Sequence, residues 1–478
     1  MRRLSVLGLA LLAACADPGG ITHRSAMVGA SSLEVDKSLS HENMEAAWPE
    51  LDWWKRFGDP QLDALEEEGL AGSPTIRLAR SRVDQALAAA QVAGAVRKPQ
   101  VNASGDVTRQ RFSENAIFPP PIGGSTFTTT EVALNADYEL DLWGKNRAAY
   151  DAALGRSQAA EADAFTSRLV LSAALAGAYV QLARAYEQLD LAHRALEDRE
   201  KVQALTNDRV RAGLDSRLEL KQVETSIPAA RARVAQVEEE IALARNQIAA
   251  LLGAGPDRGL AIARPTAVAH ATIGVPSKLP AELIGRRPDV IAERWRIEAA
   301  SKEIASAKAE FYPNVNLLAF VGLQAFGGGN LLTAASRTMG IGPAVTLPIF
   351  DAGRLRANLA GKDADYDIAV EQYNQTLADA MRDVVDQVVS LRSLAEQRKE
   401  QEMALATAGE AYDLALLRYR EGLGNYLQVL SAEQPLLVQR SLDADLHARE
   451  LALSIDLVRA LGGGYEPSPT LVRAPNDG

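Results

Sequence analysis

Cysteine is nearly absent from this 478-residue chain: Cys15 is the only one, and histidine occurs five times. That count excludes a disulfide framework and cysteine-rich zinc sites. His193, His270 and His447 have no partner histidines at ligand spacing and read as surface or boundary residues. Basic residues are not in excess either, with 51 Lys and Arg against 62 Asp and Glu and a formal charge of -11, and no basic run interrupts the balance. A nucleic-acid binder that neutralises phosphate is therefore not expected. No metalloprotease, serine-hydrolase or phosphate-loop pattern occurs, and no nucleophile with its base can be nominated, so the chain is not expected to be an enzyme. After the N-terminus no stretch reaches the length of apolar residues that a spanning helix needs. If the protein crosses a membrane, it does so with strands.

What is present begins at residue 1. MRRLSVLGLALLAAC combines a positive start at Arg2 and Arg3 with an apolar run from Leu7 to Ala14 that is too short to span a bilayer. Residues 1–14 read as a secretory signal, and Leu12 to Cys15 resembles a lipobox, in which cleavage leaves Cys15 carrying diacylglycerol and an N-acyl chain such as palmitate.

The rest of the sequence repeats itself. SPTIRLARSRVDQALAAAQVAGAVRKPQVNA (Ser73 to Ala103) overlies RPDVIAERWRIEAASKEIASAKAEFYPNVNL (Arg287 to Leu317), with Pro74, Arg82, Pro99 and Asn102 meeting Pro288, Arg296, Pro313 and Asn316. Arg209, Gly213, Leu214 and Leu218 likewise meet Arg418, Gly422, Leu423 and Leu427. This organisation implies an N-terminal extension (15–60), a first repeat (61–255), a connector (256–280), a second repeat (281–464) and a tail (465–478).

Each repeat runs through the same periods. A helical pattern ends at Pro99 or Pro313 and gives way to alternation. The expected strands are Val101 to Arg111 and Thr130 to Leu140, then Val315 to Phe326 and Ile341 to Phe350 around a glycine-rich loop from Gly327 to Gly340. At about 10 residues each, they suit a tilted membrane span, and a soluble hairpin fits the alternation as well. Phe112, Phe127, Tyr138, Trp143, Phe311, Tyr312, Phe326 and Phe350, near strand ends, are candidates for interface belts.

Arg147 to about Asp208 and Arg354 to about Leu417 lack proline, which predicts two rods on the order of 90 Å long. Glycine turns follow, then returning helices with a heptad seam, one from Leu220 to Leu251 and a second, looser one through Leu427, Leu430, Leu437, Ala444, Leu451, Ile455 and Val458. Pro228 and Pro435 should bend them. Four strands cannot close a barrel, and open edges do not survive in lipid, whereas three chains supply 12 strands. The fold expected is a mixed α and β membrane protein, a trimeric 12-stranded barrel continued by a helical coiled-coil tunnel.

The residues WPELDWWKRFGDPQLDALEEEGL, YELDLWGKNR, RVRAGLDSRLEL, LPIFDAGRLR, RYREGLGNYLQVLSAEQ and the terminal ALGGGY occur in one order across nearly all of the mature chain. They resemble the TolC-like outer membrane factors, in particular the lipid-anchored branch serving resistance-nodulation-division pumps. The resemblance implies a homotrimeric duct in outer membrane lipid that passively carries drugs or toxic organic molecules outward. It also implies a periplasmic adaptor (membrane fusion) protein and an inner-membrane pump as partners, with no cofactor beyond the lipid on Cys15.

It further implies that the helix turns meet the adaptor, through Arg209, Gly213 and Leu214 and through Arg418, Gly422 and Leu423. The residue types agree with turns there: Gly213 and Gly422 can end helices, and the arginines before them can bond the last carbonyls. A narrowing just inside the turns falls on Leu218, Glu219, Leu427, Gln428 and Ser431, where Gln428 and Ser431 stand at places the family often fills with carboxylates. GLDSRLEL equally suits a plain helix start. Protein secretion of type I and metal efflux use similar ducts, and a lipid-anchored coiled-coil scaffold without a pore is the alternative of another class.

Overall fold

The computed structural model describes residues 19–29, 32–33, 47–115, 117–266 and 285–466. Cys15, His270, the connector beyond Thr266 and the tail beyond Glu466 lie outside the described residues. In chain order the elements are α1 (Pro60–Gly72), α2 (Pro74–Ala95), β1 (Gln100–Arg111), β2 (Thr126–Leu140), α3 (Lys145–Arg211), α4 (Arg217–Leu252), α5 (Pro256–Leu260), α6 (Pro288–Ala309), β3 (Asn314–Phe326), β4 (Arg337–Thr346), α7 (Arg354–Arg420) and α8 (Tyr426–Ala460). Two compact units divide the chain: Met1–Met27 with Arg82–Glu161 and Ala292–Tyr373, and Val28–Ser81 with Ala162–Ile291 and Asn374–Gly478.

The first unit carries one antiparallel sheet in the order β1-β2-β3-β4. Two of the strands differ from expectation. β2 begins at Thr126, and β4 runs from Arg337 to Thr346 rather than from Ile341 to Phe350. The loop before β4 is correspondingly shorter, because a 3-10 turn at Ala334–Ser336 delivers the chain to the ladder early, with the Ser336 hydroxyl donating to the Asn330 carbonyl at 2.7 Å. Pro348, which has no N–H to give, ends the strand.

Register sorts the side chains into two faces. Val101, Ala103, Gly105 and Val107 share a face with Val132, Leu134, Ala136 and Tyr138, then with Leu317, Ala319 and Val321, then with Met339, Ile341, Pro343 and Val345. Gln100, Asn102, Ser104, Asp106 and Thr108 share the other with Thr129, Glu131, Asn135, Asp137 and Gln324. The apolar face is open: Val107 is 69% exposed, Val321 54% and Ile341 77%.

Three of the aromatic residues expected in a belt are elsewhere. Phe127 and Phe326 lie on the polar face, in contact with each other and with Phe112 at centroid distances of 5.1 to 6.2 Å, and Phe118 from the β1–β2 loop joins them. Phe311 is buried against Leu355 and Leu359. The extension before residue 60 is more than a linker. Its backbone N–H groups at Arg24 and Ser25 both donate to Asp367 Oδ1 at 2.9 Å, and Ile21 packs on the Phe311 cluster, so residues 21–25 lie along α7.

The second unit buries Trp53, Phe57, Leu62 and Leu65 against Leu175, Tyr179 and Leu182 of α3 and Ile248 and Leu252 of α4. This packing accounts for a stretch of α3 that is long and apolar enough to cross a membrane, contrary to the expectation that none exists after the N-terminus. More than half of that stretch is buried in the protein.

α3 and α7 have 67 residues each, about 100 Å at 1.5 Å per residue. The seam of α4 holds as read, with Val223, Ile227, Ala230, Val237, Ile241 and Ile248 buried. That of α8 holds at Ala444, Leu451, Ile455 and Val458, which are buried, and fails towards the turn. On the turn side of Pro435 the buried positions are Tyr426, Val429 and Glu433, with Leu436 just beyond it, while Leu427 is 57% exposed. The bulky ring of Tyr426 takes the seam there and displaces the frame by one residue. Both helices continue through their prolines.

Candidate functional site at the paired helix turns

The two turns close by the same hydrogen bonds. Leu214 N donates to the Arg209 carbonyl at 2.9 Å and Leu423 N to the Arg418 carbonyl at 2.8 Å. Gly213 and Gly422 sit at φ 77° and 76°, where a side chain would be strained. Leu214 and Leu423 project outward, 65% and 71% exposed, as a matched apolar pair.

Beneath the turns the repeats diverge. Arg209 reaches across to the second hairpin instead of closing its own helix: Nη1 donates to the Tyr419 carbonyl at 2.8 Å, and Nε and Nη2 donate to the two oxygens of Asp215 at 2.9 and 3.1 Å. The Tyr419 hydroxyl also donates to Asp215, at 2.6 Å, lies 2.8 Å from the Thr206 hydroxyl, and its ring sits 4.5 Å under the guanidinium. Arg418, the repeat-equivalent of Arg209, is exposed. Among the described residues only Arg209 of the two thus bonds a helix-end carbonyl, that of Tyr419 in the other hairpin.

A second tie lies below. Arg199 Nε donates to Glu433 at 2.9 Å and Nη1 to the Ser226 carbonyl at 3.1 Å, joining α3, α4 and α8 around a core of Val202, Val223, Tyr412, Tyr419, Tyr426 and Val429. Burial, the hydrogen bond to Asp215 and that carboxylate's charge push the Tyr419 hydroxyl up to about 12. Burial alone would raise Asp215, but the hydrogen bonds from Arg209 and Tyr419 outweigh it and hold the carboxyl below its ordinary value.

The residues of the expected narrowing are arranged differently. Leu427, Gln428 and Ser431 are exposed together on the side of α8 away from Tyr426 and Val429. Leu218 is exposed as well, at 65%. Glu219 closes a capping box: the Ser216 N–H donates to its Oε2 at 2.9 Å, the Ser216 hydroxyl bonds it too, and these contacts lower its pKa. The helix-start role of GLDSRLEL is therefore real, and the carboxylate is engaged in it. Ser216→Ala is expected to cost about 1 kcal/mol at the start of α4 and to raise amide exchange over residues 217–220, measured by hydrogen–deuterium exchange; unchanged exchange contradicts it.

Asp215, Tyr419, Thr206, Arg199 and Glu433 are not singled out by sequence reasoning. The signal available was opposite charge on the two flanks of the first glycine turn, Arg209 and Asp215, with a tyrosine beside the equivalent arginine in the second. Nothing in the repeat indicated that these would meet.

A sheet with one open apolar face, two unpaired edges and long helices closed by matched turns defines a membrane channel of the barrel-and-helix class. The sequence model of the outer membrane efflux protein family matches residues 65–254 and again 279–463, and the chain belongs to that family. It is 40% identical to the fusaric acid resistance protein FusA of Burkholderia cepacia over 76% of this chain and 69% of that protein. It is 33% identical to the multidrug resistance outer membrane protein MdtP of Escherichia coli over 89% of both. The crystal structure of the outer membrane protein VceC of Vibrio cholerae superposes with a TM-score of 0.80 at 38% identity, covering 88% of this chain and all of that one.

Proposed function

We propose that this protein is the outer-membrane duct of a tripartite efflux system, passing small toxic organic molecules to the exterior. The observation that carries this reading is the sheet, whose continuous apolar face is exposed while both of its edges, β1 and β4, stand unpaired. Unpaired backbone groups in hydrocarbon cost several kcal/mol each, so such a sheet is stable in a membrane only when closed. Three copies of four strands give a 12-stranded barrel, continued by a tunnel of the long helices. The polar face, with Asp106, Glu131, Asn135 and Asp137, then lines the water-filled interior.

In this reading the chain is an internal duplication, supported by the family match to each half. The chain is cleaved before Cys15, which is lipidated, and Arg24 and Ser25 of the extension bond Asp367 of α7. Leu214 and Leu423 offer apolar contacts to an adaptor protein, and an inner-membrane pump supplies the energy. Leu427, Gln428 and Ser431 on α8, together with Leu218 on α4, narrow the closed duct. The chain performs no chemistry: it opens when the hairpins separate, and the Arg209–Asp215–Tyr419 cluster resists that separation.

The test is single-particle electron microscopy of the detergent-purified mature protein together with conductance in planar bilayers. A threefold particle with a closed barrel and discrete conductance steps are expected. A particle without a barrel, or a protein released from membranes when Cys15→Ser removes the lipid, would return the helices to a scaffold role.

A further inference from the structure

The apolar face of the sheet carries charge at one end only. Among its residues the charged ones are Arg109 and Arg111 near the end of β1 and Arg337 at the start of β4, all basic and all at the end bearing the β1–β2 and β3–β4 loops. Its opposite end, formed by Val101, Leu140, Val315 and Val345, has none. The carboxylates of the sheet, Asp106, Glu131, Asp137 and Glu139, all lie on the other face.

Arg109 and Arg111 are two residues apart on one face, about 7 Å along the strand, with Thr128 and Thr126 opposite them. Their like charges are neutralised only in part. Arg111 pairs with Glu114 of the loop at 2.9 Å, with both side chains about two-thirds exposed, while Arg109 and Arg337 have no carboxylate partner among the described residues. A guanidinium on a lipid-facing strand is tolerated near the interface and costs progressively more towards the hydrocarbon midplane. Three of them at one rim, without carboxylates on that face, suit a leaflet whose headgroups are anionic.

Resting on the barrel reading above, we propose that Arg109, Arg111 and Arg337 form a belt that binds the phosphate groups of a phosphorylated outer-leaflet lipid. The guanidinium fork donates paired hydrogen bonds to phosphate oxygens, and the adjacent Val107 and Met339 take the start of the acyl region. In a closed barrel β1 of one copy adjoins β4 of the next, so the belt crosses each seam between copies. Bound lipid would stabilise the seams, and the charge asymmetry would orient the barrel with its loops at the phosphate-rich leaflet.

The full-length protein in detergent is titrated separately with bisphosphorylated lipid A, phosphatidylcholine and inorganic phosphate, following thermal unfolding by circular dichroism. Lipid A is expected to raise the midpoint by several degrees while the other two leave it unchanged. In the Arg109→Gln/Arg111→Gln variant the lipid A concentration for half-effect should rise at least about 5-fold, with Arg337→Gln adding to it. An equal response to phosphatidylcholine, an equal response to inorganic phosphate, or an unaltered response in the double variant overturns the belt. Conductance of the same preparation separates the two readings: no pore in the unmodified protein overturns the barrel and the belt with it, whereas a pore without lipid A preference overturns the belt alone.

Discussion

Asp215→Ala is expected to leave the helix turns unlatched and the channel conducting. The substitution strips Arg209 of two hydrogen bonds and Tyr419 of one while leaving the guanidinium, 9% exposed, without its counter-charge. Removing one member of a buried ion pair costs about 3 kcal/mol or more, chiefly because the remaining charge stays desolvated. Here the cost falls on the junction between the hairpins, so the hairpins separate rather than the whole molecule unfolding. In planar bilayers the variant should show a several-fold higher open fraction than the unmodified protein, and cells carrying it should admit large antibiotics. Tyr419→Phe keeps the ring under Arg209 and loses the hydroxyl contacts to Asp215 and Thr206, worth about 1 kcal/mol each, and should lie between the two. Equal conductance of all three proteins would remove the cluster from the opening mechanism.

The same cluster is expected to be indifferent to pH across the range a periplasm experiences. Asp215 is lowered in the folded state, so its contribution is fully present above its ordinary value of 3.8 and is lost as pH falls through the lowered one. Tyr419 is raised from 10.0 to about 12, so in the folded protein its hydroxyl stays neutral until pH approaches about 12.

Glu66 behaves oppositely and should dominate the pH dependence of stability. It lies on α1 with no exposed surface, and neither carboxyl oxygen has a hydrogen-bond partner of good geometry among the described residues. Burial pushes its pKa from 4.5 up to about 8, opposed only weakly by the Ser172 hydroxyl and the Arg168 charge on α3, while Asp63 on its own helix pushes further upward. The folded protein therefore holds a proton that the unfolded chain releases above 4.5, and stability declines from there to about pH 8, where the decline levels off. A shift of this size corresponds to on the order of 4 to 5 kcal/mol. Glu66→Gln keeps the shape, does not titrate, and should flatten the thermal midpoint between pH 5 and 9, making the variant the more stable protein at about pH 8. Parallel midpoint curves for the two proteins would show that Glu66 reaches solvent or a partner when folded.

Much of this protein is legible in its residues because much of it is local. The proline-free stretches could only be long helices, and the glycines at 213 and 422 mark where they turn. Alternation located all four strands, although it misplaced the start of β2 and both ends of β4, since threonine and arginine at the loop ends carry no apolar signal and the ladder continues regardless. Family membership follows from motifs spread along the chain.

Contacts between segments far apart in sequence were decided only by the tertiary structure. The phenylalanines of the β1–β2 loop and strand ends read as a lipid belt until register placed Phe127 and Phe326 on the polar face. Leu427 occupied a heptad position in the sequence, but Tyr426 fills the seam and turns Leu427 outward. Arg209 read as a cap for its own helix and instead bonds the end of another 210 residues away. Periodicity reports which side of an element is apolar, because that depends on neighbours three or four residues off. It does not report which element that side meets, because burial of a charge or a ring is settled by whichever distant partner can satisfy it.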